Sequence, residues 1–96
     1  MSITIPWGTT IEIERRNRIL VSVCAYAYEI LGESLVSDHD YDKMARSINT
    51  SVSTGNATLD AFFKSHYTAH SGMWIHNHPE LDRVATYYHK HFAGRA

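Results

Sequence analysis

Four side chains between positions 28 and 42 have the types and spacing to hold a flat, polar ligand. Asp38 and Asp42 are one helical turn apart, so both carboxylates lie on one face of a helix. Tyr41 lies beside them, and Tyr28 lies on the preceding apolar segment. Aromatic faces suit an electron-poor ring, and carboxylates accept hydrogen bonds from ribose hydroxyls or an amide. The combination is suited to a nicotinamide nucleoside.

The same residues also have an ordinary structural explanation. Ser37 is a good helix cap, and Asp38 is well placed at the positive end of the helix dipole. Like charges one turn apart cost a helix roughly 0.2–0.5 kcal/mol. The helix dipole offsets this repulsion only in part at Asp42, because its effect fades within the first turn. Tyr28 lies about 120° from the centre of the apolar stripe of its helix, where tyrosines are common. On spacing alone, both explanations stay open.

Two helices must position these residues. Thr9 and Glu12 have the spacing of a capping box, which begins a helix, and Gly32 ends it. Ser37 begins a second helix that extends to residue 48, and the short link predicts antiparallel packing as a hairpin. Apolar residues recur along the first helix at three- and four-residue steps and predict one buried stripe of Ile19, Leu20, Val23, Cys24, Ala27, Ile30 and Leu31.

The whole chain, 1–96, is predicted to be a single domain. Apolar and polar residues alternate briefly over residues 1–8, which predicts a short extended N-terminal arm. Residues 9–48 are predicted to form the hairpin. Residues 57–93 contain two further helices, the last of which begins at Pro79, where a missing N–H costs nothing. The fold class is therefore mostly α, a small helical domain built on an antiparallel helical hairpin.

Composition and charge limit the class of protein. The 44% hydrophobic and 20% charged residues are typical of a globular domain, and the net charge of −1 gives no field for nucleic acid. Arg15, Arg16 and Arg18 are the only tight basic cluster and are interpreted as a solvated helix face. We expect neither nucleic-acid nor membrane binding. The single Cys24, the lack of an apolar stretch of about 18 residues and the lack of a leader pattern predict a cytoplasmic location.

Seven histidines is a high number for 96 residues, and several lie at spacings that can hold a metal. His89 and His91, however, fall in the predicted last helix, where a separation of two points them about 160° apart. Exposed or capping histidines are the preferred interpretation, and no metal site is expected.

Residues 26–45, YAYEILGESLVSDHDYDKMA, resemble the N-terminal (Ia-type) subdomain of bacterial NAD-dependent DNA ligases, with its tyrosines, short link and V-S-D-x-E-Y-D. In that family this helical unit precedes the nucleotidyltransferase domain and binds the nicotinamide mononucleotide half of NAD. The match runs without a gap from Tyr26 to Asp42. It implies ligand-binding roles, position by position, for Tyr28, Asp38, Tyr41 and Asp42, with the mononucleotide or NAD as the candidate ligand and no certain cofactor.

The chain also departs from that family. Glu29 stands where the family has a histidine, which removes a donor and adds negative charge near a phosphate-bearing ligand. A second, shorter likeness, His78-Pro79-Glu80-Leu81, is separated from the first by unrelated sequence. The adenylated K-x-D-G motif is absent, and no other catalytic constellation replaces it. The chain is therefore not expected to be an enzyme.

Two functions of different classes follow. The first is a non-catalytic binding module that keeps a nicotinamide-nucleotide pocket. The second is an accessory protein, of the kind that phages and mobile elements encode, which binds and modulates another protein while the pocket is vestigial. For the second, Trp74 and Tyr67 are the predicted partner-binding residues, because exposed aromatic side chains near loops favour contacts. The alternative explanation for Trp74 is that it only caps the core.

Overall fold

The computed structural model describes residues 10–92, and over that range the chain is mostly α-helical. The arm predicted for residues 1–8 lies outside the described residues, as do residues 93–96. The bounds of the elements are, in chain order, α1 Thr10–Tyr26, a π-helical segment Ala27–Leu31, α2 Asp38–Ser47, α3 Ala57–Ser65, a 3-10 helix Met73–Asn77 and α4 Leu81–His91. The prediction of a mostly α domain is confirmed for this part of the chain.

α1 with its π segment and α2 form the predicted antiparallel hairpin. Gly32 ends the first arm in the left-handed conformation, with φ at 72°, and the Ser37 hydroxyl begins the second by accepting the Asp40 N–H at 3.1 Å. The chain then runs back along α1, because the Asn49 N–H just after α2 donates to the Glu14 carboxylate near the start of α1. Both turning points obey local capping rules, which is why the sequence predicts them.

The centre of α1 is the core of the domain rather than one side of it. Residues 21–27 are all buried, and a run of that length occupies every face of a helix. This is possible because α2, α4 and the 3-10 helix all pack on α1. The predicted single stripe is therefore wrong in part. Ile19, Ile30 and Leu31 are each at least 40% exposed, whereas Val21 and Ala25, which the stripe omits, are buried.

The two further helices are shorter than predicted. α3 ends at Ser65, and α4 begins at Leu81 rather than at Pro79. Pro79 lies in a turn in which the His78 Nδ1 accepts the Glu80 N–H at 3.0 Å, so that N–H is satisfied outside the helix. No helix within residues 10–92 is long and apolar enough to cross a bilayer.

Arg18 is buried, which corrects the interpretation of a solvated arginine face. The residue is only 5% exposed, and its guanidinium lies 5.0 Å from the centre of the Phe63 ring. Its Nε donates to the Glu14 carboxylate at 2.7 Å, and its Nη1 donates to the Asp60 carboxylate at 2.8 Å. Arg18 therefore joins α1 to α3 through two ion pairs, in which Arg18 and Glu14 are buried and Asp60 is partly exposed.

The same guanidinium fixes the loop between α2 and α3. Its Nη2 donates to the backbone carbonyls of Asn49 and Val52 at 2.9 and 3.1 Å, and Asp60 accepts the Thr54 hydroxyl at 2.6 Å. The hydrogen bond from the Thr54 hydroxyl, helped by the charge of Arg18, holds the pKa of Asp60 below its usual value, although burial opposes it. We call Glu14, Arg18, Thr54 and Asp60 the Arg18 cluster.

Candidate functional site

The four side chains singled out in the sequence line one cavity of about 490 Å³ at the closed end of the hairpin. α1 and the π segment form one wall, and the start of α2 forms the opposite wall. Residues 69–72 form a third side. This volume lies within the range of small-molecule sites. We call it the hairpin cavity, and it contains Tyr28, Asp38, Tyr41 and Asp42 together.

Tyr28 reaches the cavity from the π segment. The side chain is 59% exposed, so it is available to a ligand without any change in the core. π turns are rare and are frequently found at functional sites. Nothing in the periodicity of the sequence signalled this segment, because the apolar pattern is continuous with that of α1. The same turn carries Glu29 into the cavity wall.

The start of α2 presents its two aspartates to the cavity from successive turns. Asp38 is the first residue of the helix, immediately after the Ser37 cap, and it benefits from the helix dipole. Asp42 forms an ion pair with Arg46 at 3.2 Å, with side chains 48% and 74% exposed. Pairs this exposed contribute about 0–1 kcal/mol, so stability alone gives little reason for an acid at position 42.

Tyr41 forms part of the cavity floor, with a hydroxyl that is buried and has no hydrogen-bond partner among residues 10–92. Burial raises the pKa of Tyr41 to about 12, the indole N–H of Trp74 lowers it, and the charges of Cys24 and Glu29 raise it further. The Tyr41 hydroxyl and the Trp74 indole nitrogen interact electrostatically, yet neither forms a hydrogen bond of ordinary geometry. The hydroxyl stays protonated near neutral pH.

The third side of the cavity depends on a glycine. A Cβ at Gly72 would lie 3.3 Å from both the Ala25 Cβ and the Glu29 Cγ, so a larger residue would press on the acidic wall. With Glu29 beside Asp38 and Asp42, the cavity carries three carboxylates, and His70 is the one histidine in its lining. Its electrostatics therefore favour a cation or hydroxyl donors over a phosphate.

Trp74 and Tyr67 do not have the exposure that the sequence suggested. Trp74 is 4% exposed and contacts the Phe62 and Phe63 rings, because the 3-10 helix turns its side chain toward α3. Tyr67 is half-buried, and its hydroxyl donates to the Ala45 carbonyl at 2.7 Å. The expected exposure of Trp74 is thus wrong: it closes the core.

The histidines do not converge. Within residues 10–92, no group of three histidine, cysteine or acidic side chains could hold a metal ion. His66 stacks beside Phe62, and His78 is buried at the turn before α4, where burial lowers its pKa. Cys24 is buried as expected, and burial raises the pKa of its thiol to about 11, so the thiolate is scarce near neutral pH.

Comparison with family models, with curated proteins and with solved structures finds no match to this chain. The likeness over residues 26–45 therefore rests on its motif alone.

Proposed function

We propose that this chain is a non-catalytic binding module that holds the nicotinamide mononucleotide half of NAD in the hairpin cavity. One observation carries the proposal. Tyr28, Asp38, Tyr41 and Asp42, chosen by residue type and motif, come from two helices and line a single cavity of ligand size. The absence of a K-x-D-G lysine in the sequence supports a role in binding rather than in nucleotidyl transfer.

In the proposed complex, the nicotinamide ring lies between Tyr28 and Tyr41, and the ribose hydroxyls donate to Asp38 and Asp42. A cationic ring is compatible with an acidic cavity, and aromatic faces attract cations. Glu29 repels the phosphate, and the mononucleotide has no AMP half whose linked contacts would add affinity. Binding is therefore expected to be weak, on the order of high micromolar to millimolar.

Titration of the full chain with nicotinamide mononucleotide, followed by amide chemical shifts, tests this proposal. Shifts should cluster at residues 26–42, and Tyr28→Ala should remove them without unfolding the protein, because Tyr28 is 59% exposed. Tyr41→Ala and Asp42→Ala should also abolish binding. Lys64→Ala, on the exposed face of α3, is the matched control and should bind normally.

Two outcomes would contradict it. Absence of shifts in residues 26–42 at millimolar mononucleotide would mean that the cavity does not take this ligand. A covalent AMP adduct on any lysine after incubation with NAD would mean that the chain is catalytic.

The second candidate is a protein-binding accessory module of the cytoplasm, with the cavity vestigial. The specific observation in its favour is the closed end of the hairpin, where the apolar Tyr28, Ile30 and Leu31 are exposed next to the acidic wall. Glu29, which opposes phosphate, points the same way. Ile30→Asp should abolish partner binding under this second function and leave mononucleotide shifts unchanged under the first.

A further inference from the structure

A second cavity of about 330 Å³ lies between α1, α3 and α4, and it shares no lining residue with the hairpin cavity. Its volume is within the range of small-molecule sites, near the lower end. Most of its wall is aliphatic or aromatic: Ile19, Val23, Leu59, Phe63, Val84 and Tyr87. We call it the α1–α4 cavity. Such walls suit a ligand with a compact apolar body.

The apolar wall of this cavity contains one buried hydroxyl without a partner. Ser22 is 1% exposed, and its Oγ forms no hydrogen bond with any described residue. Buried polar groups are nearly always paired, since an unpaired one forfeits its hydrogen bonds with water. A ligand with a polar group at its inner end would supply the missing partner.

His78 adds a second polar group to the same wall. Its Nδ1 accepts the Glu80 N–H at 3.0 Å, which assigns the proton of the neutral ring to Nε2. Burial lowers the pKa of His78, although the Glu80 carboxylate opposes this shift. Arg15, Arg18 and Arg83 also line the cavity. The ring therefore adds a hydrogen-bond donor to the wall and no charge.

The charged side chains around the cavity favour an anion. The charge of Arg18 is already compensated by Glu14 and Asp60. The other charged side chains in the lining are those of Arg15, Arg83 and Glu80. Arg15 donates from Nε and Nη2 to the carbonyl of Thr54, a neutral acceptor, so these bonds leave its charge in place. Arg83 is 82% exposed along its side chain and lies 3.7 Å from Glu80, so two cations face one carboxylate at the rim.

We propose that the α1–α4 cavity binds a small aromatic carboxylate that carries a hydroxyl on its ring. The ring lies among the apolar side chains, the hydroxyl pairs with the Ser22 Oγ in the interior, and the carboxylate lies at the rim near Arg15 and Arg83. Since the two cavities have separate linings, this site does not depend on the proposed function of the hairpin cavity.

The probe is 3-(4-hydroxyphenyl)propanoate, titrated into the full chain and followed by amide chemical shifts. Shifts should centre on Ser22, Leu59 and Val84. 3-Phenylpropanoate, which lacks the hydroxyl, should bind about 3- to 10-fold more weakly, the range expected for one net hydrogen bond. Ser22→Ala should cut that preference at least in half while the fold stays intact, because alanine fits the same space.

Charge variants test the rim. Arg83→Gln should weaken binding of the carboxylate probes about threefold, a modest effect because the Arg83 side chain is exposed. Binding of the neutral amide of the same acid should be unaffected. Lys64→Gln makes the same change of charge outside both cavities and should have no effect. Tyr28→Ala, in the hairpin cavity, should leave binding unchanged.

Three results would overturn this inference. The first is a lack of shifts around Ser22 at millimolar probe. The second is a set of shifts confined to the hairpin cavity. The third is a preference for the hydroxylated probe that Ser22→Ala leaves intact.

Discussion

Charged side chains differ in burial and in ion pairing between the two ends of the hairpin. At its open end, Glu14 and Arg18 are buried and joined to each other at 2.7 Å, and Asp60 completes the group. At its closed end, Asp38 forms no ion pair with any residue of 10–92, and Asp42 pairs only with the exposed Arg46. The first group ties α1 to α3, because each charge has a close partner and both Glu14 and Arg18 are buried, while Asp60 is partly exposed.

The closed end cannot be explained in the same way. Its carboxylates line a cavity, are exposed or partly exposed and repel one another, so they add little to stability. Residues that add little to stability yet surround a cavity of ligand size are candidates for binding. Substitutions at the two ends test this contrast, because those at the open end should lower stability and those at the closed end should not.

The largest expected effect is at Arg18. Arg18→Met should lower the free energy of unfolding by about 3–5 kcal/mol, because it leaves the buried Glu14 carboxylate without its cation and also removes the partner of the partly exposed Asp60. Urea unfolding at neutral pH measures the change. Lys64→Met, an exposed cation of similar length, should change stability by no more than about 0.5 kcal/mol. Equal effects of the two substitutions would mean that the Arg18 cluster is no more structural than the surface.

A smaller loss should follow when a proton neutralises Asp60. Its pKa is lowered in the folded protein, chiefly by the Thr54 hydroxyl, from the usual value of 3.8. A depressed pKa contributes stability at pH values above the unfolded value, and this contribution disappears as the pH falls through the folded value. The urea concentration at the unfolding midpoint of the wild type should therefore decrease as the pH is lowered below about 4. The Asp60→Asn variant should be less stable than the wild type at neutral pH, and its urea midpoint should depend less on pH over that acidic range.

Two tyrosines that flank Trp74 should respond with opposite signs. Tyr67→Phe should destabilise by about 1 kcal/mol, because it leaves the Ala45 carbonyl without its donor. Tyr41→Phe should instead be neutral or stabilising by up to about 1 kcal/mol, because the hydroxyl it removes is buried and accepts or donates no hydrogen bond within the described part of the chain. Thermal unfolding of both variants measures the difference. A loss of stability in Tyr41→Phe as large as in Tyr67→Phe would show that its hydroxyl has a structural partner.

The smallest stability effect is expected at Asp42. Asp42→Ala removes the exposed pair with Arg46 and also the repulsion from Asp38, so the net change should stay within about 0.5 kcal/mol. The matched substitution Asp38→Ala should cost more, because the acid is lost from the first residue of α2. If Asp42→Ala is the more damaging of the two, the acid at position 42 has a structural role.

The parts of the fold that the sequence predicts are those decided by near neighbours. Gly32 and Ser37 act through backbone conformation and a cap within three residues, so the hairpin is readable before the structure is known. Tyr28, Asp38, Tyr41 and Asp42 could be brought to one cavity because that hairpin is short and local.

The parts that sequence reasoning missed depend on distant partners. Arg18 is buried by Asp60, Asn49 and Val52, which lie far along the chain and give no sign of their proximity. Trp74 is buried because a 3-10 helix turns it toward Phe62 and Phe63, and short 3-10 helices have no strong sequence signature. The α1–α4 cavity is likewise a product of tertiary packing.

The π segment changes the phase of the helix to which it belongs. A π turn holds more residues than an α turn, so positions after Ala27 no longer follow the 3.6-residue repeat that positions before it obey. A count by threes and fours from Val23 through Ala27 assigns Ile30 and Leu31 to the buried face, and both are exposed. Any alignment of this chain by helical periodicity must therefore restart at Ala27, since a count carried through the segment assigns later residues to the wrong side of the hairpin.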